Sequence, residues 1–170
     1  MLRKISTYIA ENNLLKPTDK VLVAVSGGID SVVLLHALLT LKYECIVVHC
    51  NFHLRGEESD RDETFVQQLA EKYNCRFIKT DFDTTKFAEE NHLSIEMAAR
   101  ELRYEWFEDV RKKESCQCVA VAHHANDLTE NIFLRLFRGA NVSGLSGLRE
   151  FSKVNGLNIR RIMLDFSRQE

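Results

Sequence analysis

Long apolar runs are missing from this chain. No uninterrupted stretch approaches the ~18 residues needed to cross a bilayer, so no membrane partner is expected. Proline and glycine are scarce, one and seven in 170 residues, which leaves little room for a long flexible linker. That length suits one compact domain. The N-terminal stretch MLRKISTYIAENNLL alternates charged and apolar residues and lacks a small-residue cleavage site, so it does not read as a secretory leader. A cytoplasmic location is the expectation. Paired cysteine motifs are also lacking. Cys45, Cys50, Cys75, Cys116 and Cys118 are odd in number, and three of them lie in strand-like apolar runs. Cys116-Gln117-Cys118 is C-x-C with no partner pair, which argues against a disulfide framework, a zinc site or an iron–sulfur site. Buried reduced thiols are expected instead. Nor is there an excess of positive charge. A formal net charge of −2 argues against a nucleic-acid-binding surface spread over the whole domain. Any RNA would be held by local patches or by parts outside this chain.

What is present alternates in period. Leu2, Ile5, Ile9 and Leu14 follow helical spacing, with Pro17 expected to end that helix. VLVAV (21–25) is a short continuous apolar run, as in a strand covered on both faces. A helix over 31–41, a second buried strand over 45–50 (CIVVHC) and a helix over 59–73 with Phe65, Val66 and Leu69 inward follow. A third strand spans 76–80, a long helix 94–113, a fourth strand 118–122 (CVAVA), and another helix 126–137. Alternation of this kind predicts an α/β fold, a parallel sheet with helices on both faces. No internal repeat or low-complexity segment interrupts it. Ligands in such folds sit outside the carboxyl ends of the strands. That rule selects the loops 26–30, 49–58 and 123–127, where most of the unusual polar residues lie.

The first of these loops reads Ser26-Gly27-Gly28-Ile29-Asp30-Ser31 between a strand and a helix. Two glycines allow a tight turn that aims successive N–H groups at one point. The helix N-terminus adds unpaired donors and a positive dipole end, and Ser26 and Ser31 add hydroxyls. Together these can cradle phosphate or pyrophosphate. Asp30 would repel a bare phosphate, which points to a bridging Mg²⁺. The plainer reading is a β-to-α turn with Asp30 or Ser31 as N-cap. Neither G-x-x-x-x-G-K-[ST] nor G-x-G-x-x-G is present.

The string SGGIDS in this setting resembles the S-G-G-x-D-S loop of the N-type ATP pyrophosphatases. Those enzymes bind ATP, attack its α-phosphate and release pyrophosphate held in the loop. Three further segments resemble one branch of them, the lysidine synthetases. HCNFHLRG (49–56), followed by Glu57, Ser59 and Asp60, resembles their V-x-H-x-N/H-H-x-L-R segment, whose early part lines the adenine side of the ATP site. Taken alone, His49 reads as a satisfied structural histidine and RGEESDRDE as a solvated loop and helix start. EMAARELRYEWF (96–107) resembles E-x-A-A-R-x-x-R-Y-x-x-F, a pattern shared with the related tRNA thiolases. Glu96, Arg100 and Arg103 there share a helical face. Aligned arginines can neutralise developing phosphate charge. Otherwise they form a surface ion pair worth ~0.3–0.5 kcal/mol. Tyr104, Trp106 and Phe107 are expected in the core. AHHANDLTEN (122–131), running on to Arg135, Arg138 and Gly139, resembles A-H-H-x-x-D-x-x-E-T…R-x-x-R-G, with Asn131 where Thr is usual. SGLSGL (143–148) and LNIRRIMLDFSRQE (157–170) resemble the family's later turn and its I-x-R-P-L-L-x-x-x-R-x-E segment. Ile162 there replaces Pro and Met163 replaces Leu.

The resemblance implies an adenine nucleotide alpha-hydrolase-like, Rossmann-like fold that uses ATP and Mg²⁺. It implies nucleotide contacts from Ala24, Ser26, Gly27, Gly28, Ile29, Asp30, Ser31, His49, Asn51 and Arg138, with Mg²⁺ on Asp30. The implied catalytic residues are Asp30, Arg100, Arg103, His123, Asp127 and Glu130. The arginines would stabilise phosphate charge, and His123, Asp127 and Glu130 would orient or deprotonate lysine. A metal site made only of His123, His124 and Asp127 is disfavoured, because adjacent histidines leaving a strand diverge. Implied partners are a tRNA(Ile) with a CAU anticodon and free L-lysine, and a homodimer is compatible. Residues 1–170 are expected to be an N-terminal PP-loop ATPase domain cut short of the family's helical and C-terminal RNA-binding parts. Three rivals remain. A tRNA thiolase would need the C-x-x-C pairs that this chain lacks. An NAD or GMP synthetase fits the H-H-x-x-D-x-x-E segment poorly. A non-catalytic nucleotide sensor would not need so many charged residues on the three loops.

Overall fold

Strand β1 (Lys20–Ala24) lies at the centre of a sheet ordered β3-β2-β1-β4-β6-β5. The computed structural model describes residues 2–123, 149–154, 156–164 and 166. β2 (Glu44–Asn51), β3 (Arg76–Asp81), β4 (Cys118–Ala120) and β6 (Leu157–Arg160) join β1 in parallel pairing. β5 (Phe151–Val154) closes one edge as the antiparallel arm of a hairpin with β6. That hairpin is absent from the sequence expectation, and it makes the sheet mixed at this edge. From β1 the chain builds outward through β2 and β3 on one side, and β4 starts the other side. The strand order therefore reverses between β1 and β4, where doubly wound sheets open a crevice.

Side chains alternate across the strands and bury both faces. Val21, Val23, Val47, Cys118 and Ala120 pack with Ile5 and Ile9 of α1 (Leu2–Glu11), Leu34, Leu35 and Leu38 of α2 (Ile29–Thr40), and Val66 and Ala70 of α3 (Glu57–Lys72). Leu22, Ile46, Val48, Val119 and Ile159 pack on the other face with Tyr104, Phe107 and Val110 of α5 (Ile95–Lys113). A short α4 (Thr84–Glu90) leads into α5. Both are N-capped by a side chain: Asp83 accepts from the Lys86 amide and Ser94 from the Met97 amide, at 3.1 and 3.2 Å. Tyr104 and Phe107 are core residues, as expected.

Two local expectations fail for identifiable reasons. α1 stops well before Pro17, because Asn13 adopts a left-handed conformation, φ 49°. The Leu14 amide then bonds Ile9 C=O at 3.0 Å and the Asn13 amide bonds Ala10 C=O at 3.3 Å. This Schellman closure satisfies the last carbonyls without proline. Phe65 points outward, 44% exposed, while Val66 and Ala70 form the buried stripe of α3 and Leu69 is partly buried against it. The expected helix 126–137 lies outside the described residues.

Candidate active site

Loop 26–31 carries the tightest backbone of the site. Gly27 has φ +97°, a region that L side chains rarely adopt, and a Cβ placed there would come within 3.0 Å of the Asp62 carboxyl carbon. Gly28 is the N-cap of α2, in extended conformation and with no side-chain cap hydrogen bond. The N-capping role open to Asp30 or Ser31 is thus not used. Instead the Ser31 hydroxyl donates to Gly28 C=O at 2.7 Å and accepts from the Ser26 amide at 3.2 Å. Ser26 Oγ in turn accepts from the Gly28 amide at 3.3 Å. These bonds hold the turn from within and leave the first turn of α2 uncapped by any side chain, which suits an anion.

This loop forms part of a cavity of about 280 Å³ at the carboxyl ends of β1, β2 and β4. Ala24, Ser26, Gly28, Asp30 and Ser31 line one side. Val48, Cys50 and Phe52 come from β2 and the loop after it, Arg103, Tyr104 and Phe107 from α5, and Val121 and His123 from beyond β4. An adjoining cleft shares Ser26, Cys50, Phe52 and Arg103, and adds His49, Asn51, Arg55 and Asp62. Apolar walls beside a polar, glycine-bearing end suit a flat base joined to phosphates.

The residues singled out from the sequence are distributed unevenly. Ala24, Ser26, Gly28, Asp30, Ser31, Arg103 and His123 line the cavity. Gly27 turns toward Asp62, and Ile29 is 75% exposed to solvent. His49 is buried and its Nδ1 lies 2.7 Å from Val25 C=O, bracing the end of β1 from the adjoining cleft. Asn51 is buried as well, donating to Asp60 at 3.1 Å and Glu63 at 3.0 Å. Arg103 crosses the Phe52 ring, 5.0 Å from its centroid, a cation–π contact that fixes its direction. Arg100 is exposed and lies over Tyr104 instead, outside the cavity lining. Asp127, Glu130 and Arg138 lie outside the described residues.

Other contributors carried no distinctive sequence signal. Arg55 donates to Asp62 at 2.7 Å and to Glu58 at 3.0 Å, bracing the loop after β2 against the start of α3. In sequence both acids dissolve into the solvated run RGEESDRDE. Arg161 is 3% exposed and donates from Nε to His123 Nδ1 at 3.1 Å. All five cysteines are free. Burial pushes the thiols of Cys45, Cys50 and Cys118 up to about 12. Cys118 opens β4 and Cys116 precedes it, at the end of the sheet away from the loop. Cys50 lines the cavity, but a thiol so raised stays protonated at neutral pH and is a poor nucleophile.

A crevice at the strand-order reversal, built on a glycine turn and an uncapped helix start, defines a phosphate-binding α/β domain. The chain belongs to the PP-loop domain family, whose model matches residues 1–170. It is 52% identical over 147 residues to the tRNA(Ile)-lysidine synthase of Bacteroides thetaiotaomicron, covering 86% of this chain and 34% of that protein. To the tRNA(Ile)-lysidine synthase of Parabacteroides distasonis it is 51% identical over 163 residues, covering 96% and 36%. The chain thus spans about a third of the length of these curated relatives. A U34-tRNA thiolase from Methanococcus maripaludis superposes with a TM-score of 0.78 at 18% identity, over 99% of this chain and 59% of that one. The NH3-dependent NAD synthetase of Campylobacter jejuni superposes at 0.63 with 14% identity, over 99% and 68%. These two likenesses are of fold alone. Among the described residues no helix is long and apolar enough to cross a membrane.

Proposed function

We propose that this chain is the ATP-binding catalytic domain of a tRNA(Ile)-lysidine synthase. The observation that carries the reading is the 26–31 loop, with Gly27 in the left-handed region and Gly28 starting an uncapped helix beside the β1/β4 reversal. In this reading the pyrophosphate of ATP lies on that loop and the base lies against Val48, Phe52 and Phe107. The C2 oxygen of the wobble cytidine of a CAU-anticodon tRNA(Ile) attacks the α-phosphorus, and pyrophosphate leaves. The ε-amine of free lysine then attacks C2, a proton is lost, and AMP departs with the oxygen. Activation is needed because an oxygen on the ring is a poor leaving group until it carries AMP. Arg103 would offset charge gathering on the α-phosphate.

Asp30 fits a metal role by its chemistry: a carboxylate in the first turn of α2, beside a site for polyphosphate. When bound, Mg²⁺ supplies the charge that reconciles Asp30 with that polyphosphate. Among the described residues no group of three or more His, Cys, Asp or Glu gathers as a metal cage. Calorimetry of ATP binding tests the reading. Wild type should bind more tightly with Mg²⁺ than without, and Asp30→Ala should lose that difference. ATP affinity indifferent to both would remove the proposed role.

The thiolase reading receives no support from the cysteines, whose burial keeps them protonated or away from the cavity. The 52% identity to a lysidine synthase supports the ligase instead.

A further inference from the structure

Arg161 follows β6 directly and is nearly inaccessible, yet no carboxylate among the described residues pairs with it. Its partners are neutral acceptors. Nη1 donates to Arg149 C=O and to Ser152 Oγ, both at 2.8 Å, and Tyr104 adds a further hydrogen bond. Burial draws the guanidinium below its ordinary value while Tyr104 works the other way, and Arg100 adds like-charge repulsion. An arginine stays protonated even so. The one remaining contact, Nε to His123 Nδ1 at 3.1 Å, carries a chemical constraint.

A guanidinium N–H can only donate. His123 Nδ1 must therefore present its lone pair, and a neutral imidazole with one nitrogen accepting carries its proton on the other. The ring is fixed as the Nε2–H tautomer. A second proton at Nδ1 would set two N–H groups against each other beside a buried positive charge, and Nε2 is already protonated. The imidazole thus has no vacant nitrogen with which to accept a proton. The positive charge behind the ring also polarises Nε2–H into a stronger donor. His123 lines the same cavity as the phosphate loop.

We propose that Arg161 is a positioning residue that locks His123 as the Nε2–H tautomer, so that His123 donates a hydrogen bond to phosphate charge and does not deprotonate the lysine amine. The identity of the anion rests on the ATP reading above; the tautomer does not.

The test has two arms. Long-range proton–nitrogen correlation spectra of the ¹⁵N-labelled chain, with His123→Gln used for assignment, should show His123 with Nε2 protonated and Nδ1 bare. Arg161→Gln should convert it to a mixture of tautomers. A wild-type signal from the Nδ1–H form or from imidazolium at neutral pH overturns the proposal, whatever the variants do. In the second arm, His123→Gln, which keeps a donor near the Nε2 position, should hold ATP within about threefold of wild type. His123→Ala should lose roughly tenfold or more, as expected for a hydrogen bond to a charged group. Equal losses in Gln and Ala overturn the donor role. Absence of ATP binding by wild type would overturn the nucleotide reading and with it the assigned anion, while the tautomer is decided by its own spectrum.

Discussion

Replacing Gly27 by alanine separates two glycines that look equivalent in sequence. At φ +97° a side chain is held in a sparsely populated region, which costs of order 1–3 kcal/mol. The new Cβ would also lie 3.0 Å from the Asp62 carboxyl carbon and 3.1 Å from its Cβ, so Asp62 must give way slightly, which strains its 2.7 Å pair with Arg55. That pair is part-exposed and adds at most ~1 kcal/mol. Gly27→Ala should therefore lose about 1–4 kcal/mol of unfolding free energy, the sum of these two costs. Gly28→Ala differs. Gly28 sits at φ −72°, and its added Cβ meets only Ser26 Oγ at 3.5 Å, an ordinary contact. An alanine N-cap costs about 0.5–1 kcal/mol. A stiffer unfolded chain returns roughly 0.4–1 kcal/mol. Stability should barely change, while ATP affinity falls because the methyl group stands on a wall of the cavity. Urea unfolding with unchanged m-values measures the first effect and calorimetry the second. A Gly27→Ala protein as stable as wild type, or a Gly28→Ala protein several kcal/mol weaker, would refute this account of the loop.

The two arginines of α5 should behave differently: Arg103→Ala, which removes a cavity wall, is expected to weaken ATP binding about tenfold, the loss of a charge-assisted contact. Arg100→Ala, outside the cavity lining, should change it by less than about twofold by comparison in the same titration. Glu108 accepts from Arg111 Nε and Nη2 at 2.7 and 2.8 Å while nearly buried, and those bonds hold its carboxyl below the ordinary value. A depressed carboxylate stabilises the fold above its unfolded pKa, and the contribution is lost as pH falls through the folded value. Glu108→Gln should cost about 1.5–3 kcal/mol at neutral pH. In acid titrations followed by circular dichroism the gap from wild type should narrow below a pH of about 4.3, the ordinary glutamate value. A gap that widens in acid would mean that Glu108 is not held as a carboxylate.

Period and composition were enough to read the central sheet, because both-face burial leaves unbroken apolar runs such as VLVAV and CIVVHC. The edge was not legible. FSKV and LNIR are four-residue strands whose pairing depends on each other and on β4, and neither makes a run. The end of α1 was misread because Pro17 is a visible breaker, whereas a left-handed Asn13 announces itself only in the backbone. Of the site, the loops at the strand ends were readable from the crevice rule, and Ser26, Asp30, Arg103 and His123 do meet there. Helical periodicity placed Arg100 and Arg103 on one face but could not tell which would reach the cavity. Phe52 decides that, by capturing Arg103. Arg161 looked like one of several basic residues near the end of the chain. Its burial beside His123 depends on the 149–161 hairpin, which no local pattern foretells.

The most direct test of the proposed ligase is transfer of radiolabelled lysine. Residues 1–170 would replace the matching third of the Bacteroides thetaiotaomicron relative, and the chimaera would be assayed on tRNA with a CAU anticodon. The account predicts ATP-dependent incorporation of lysine with release of AMP and pyrophosphate, abolished by Asp30→Ala. A folded chimaera that binds ATP yet transfers no lysine, while the intact relative does so in the same assay, would contradict it.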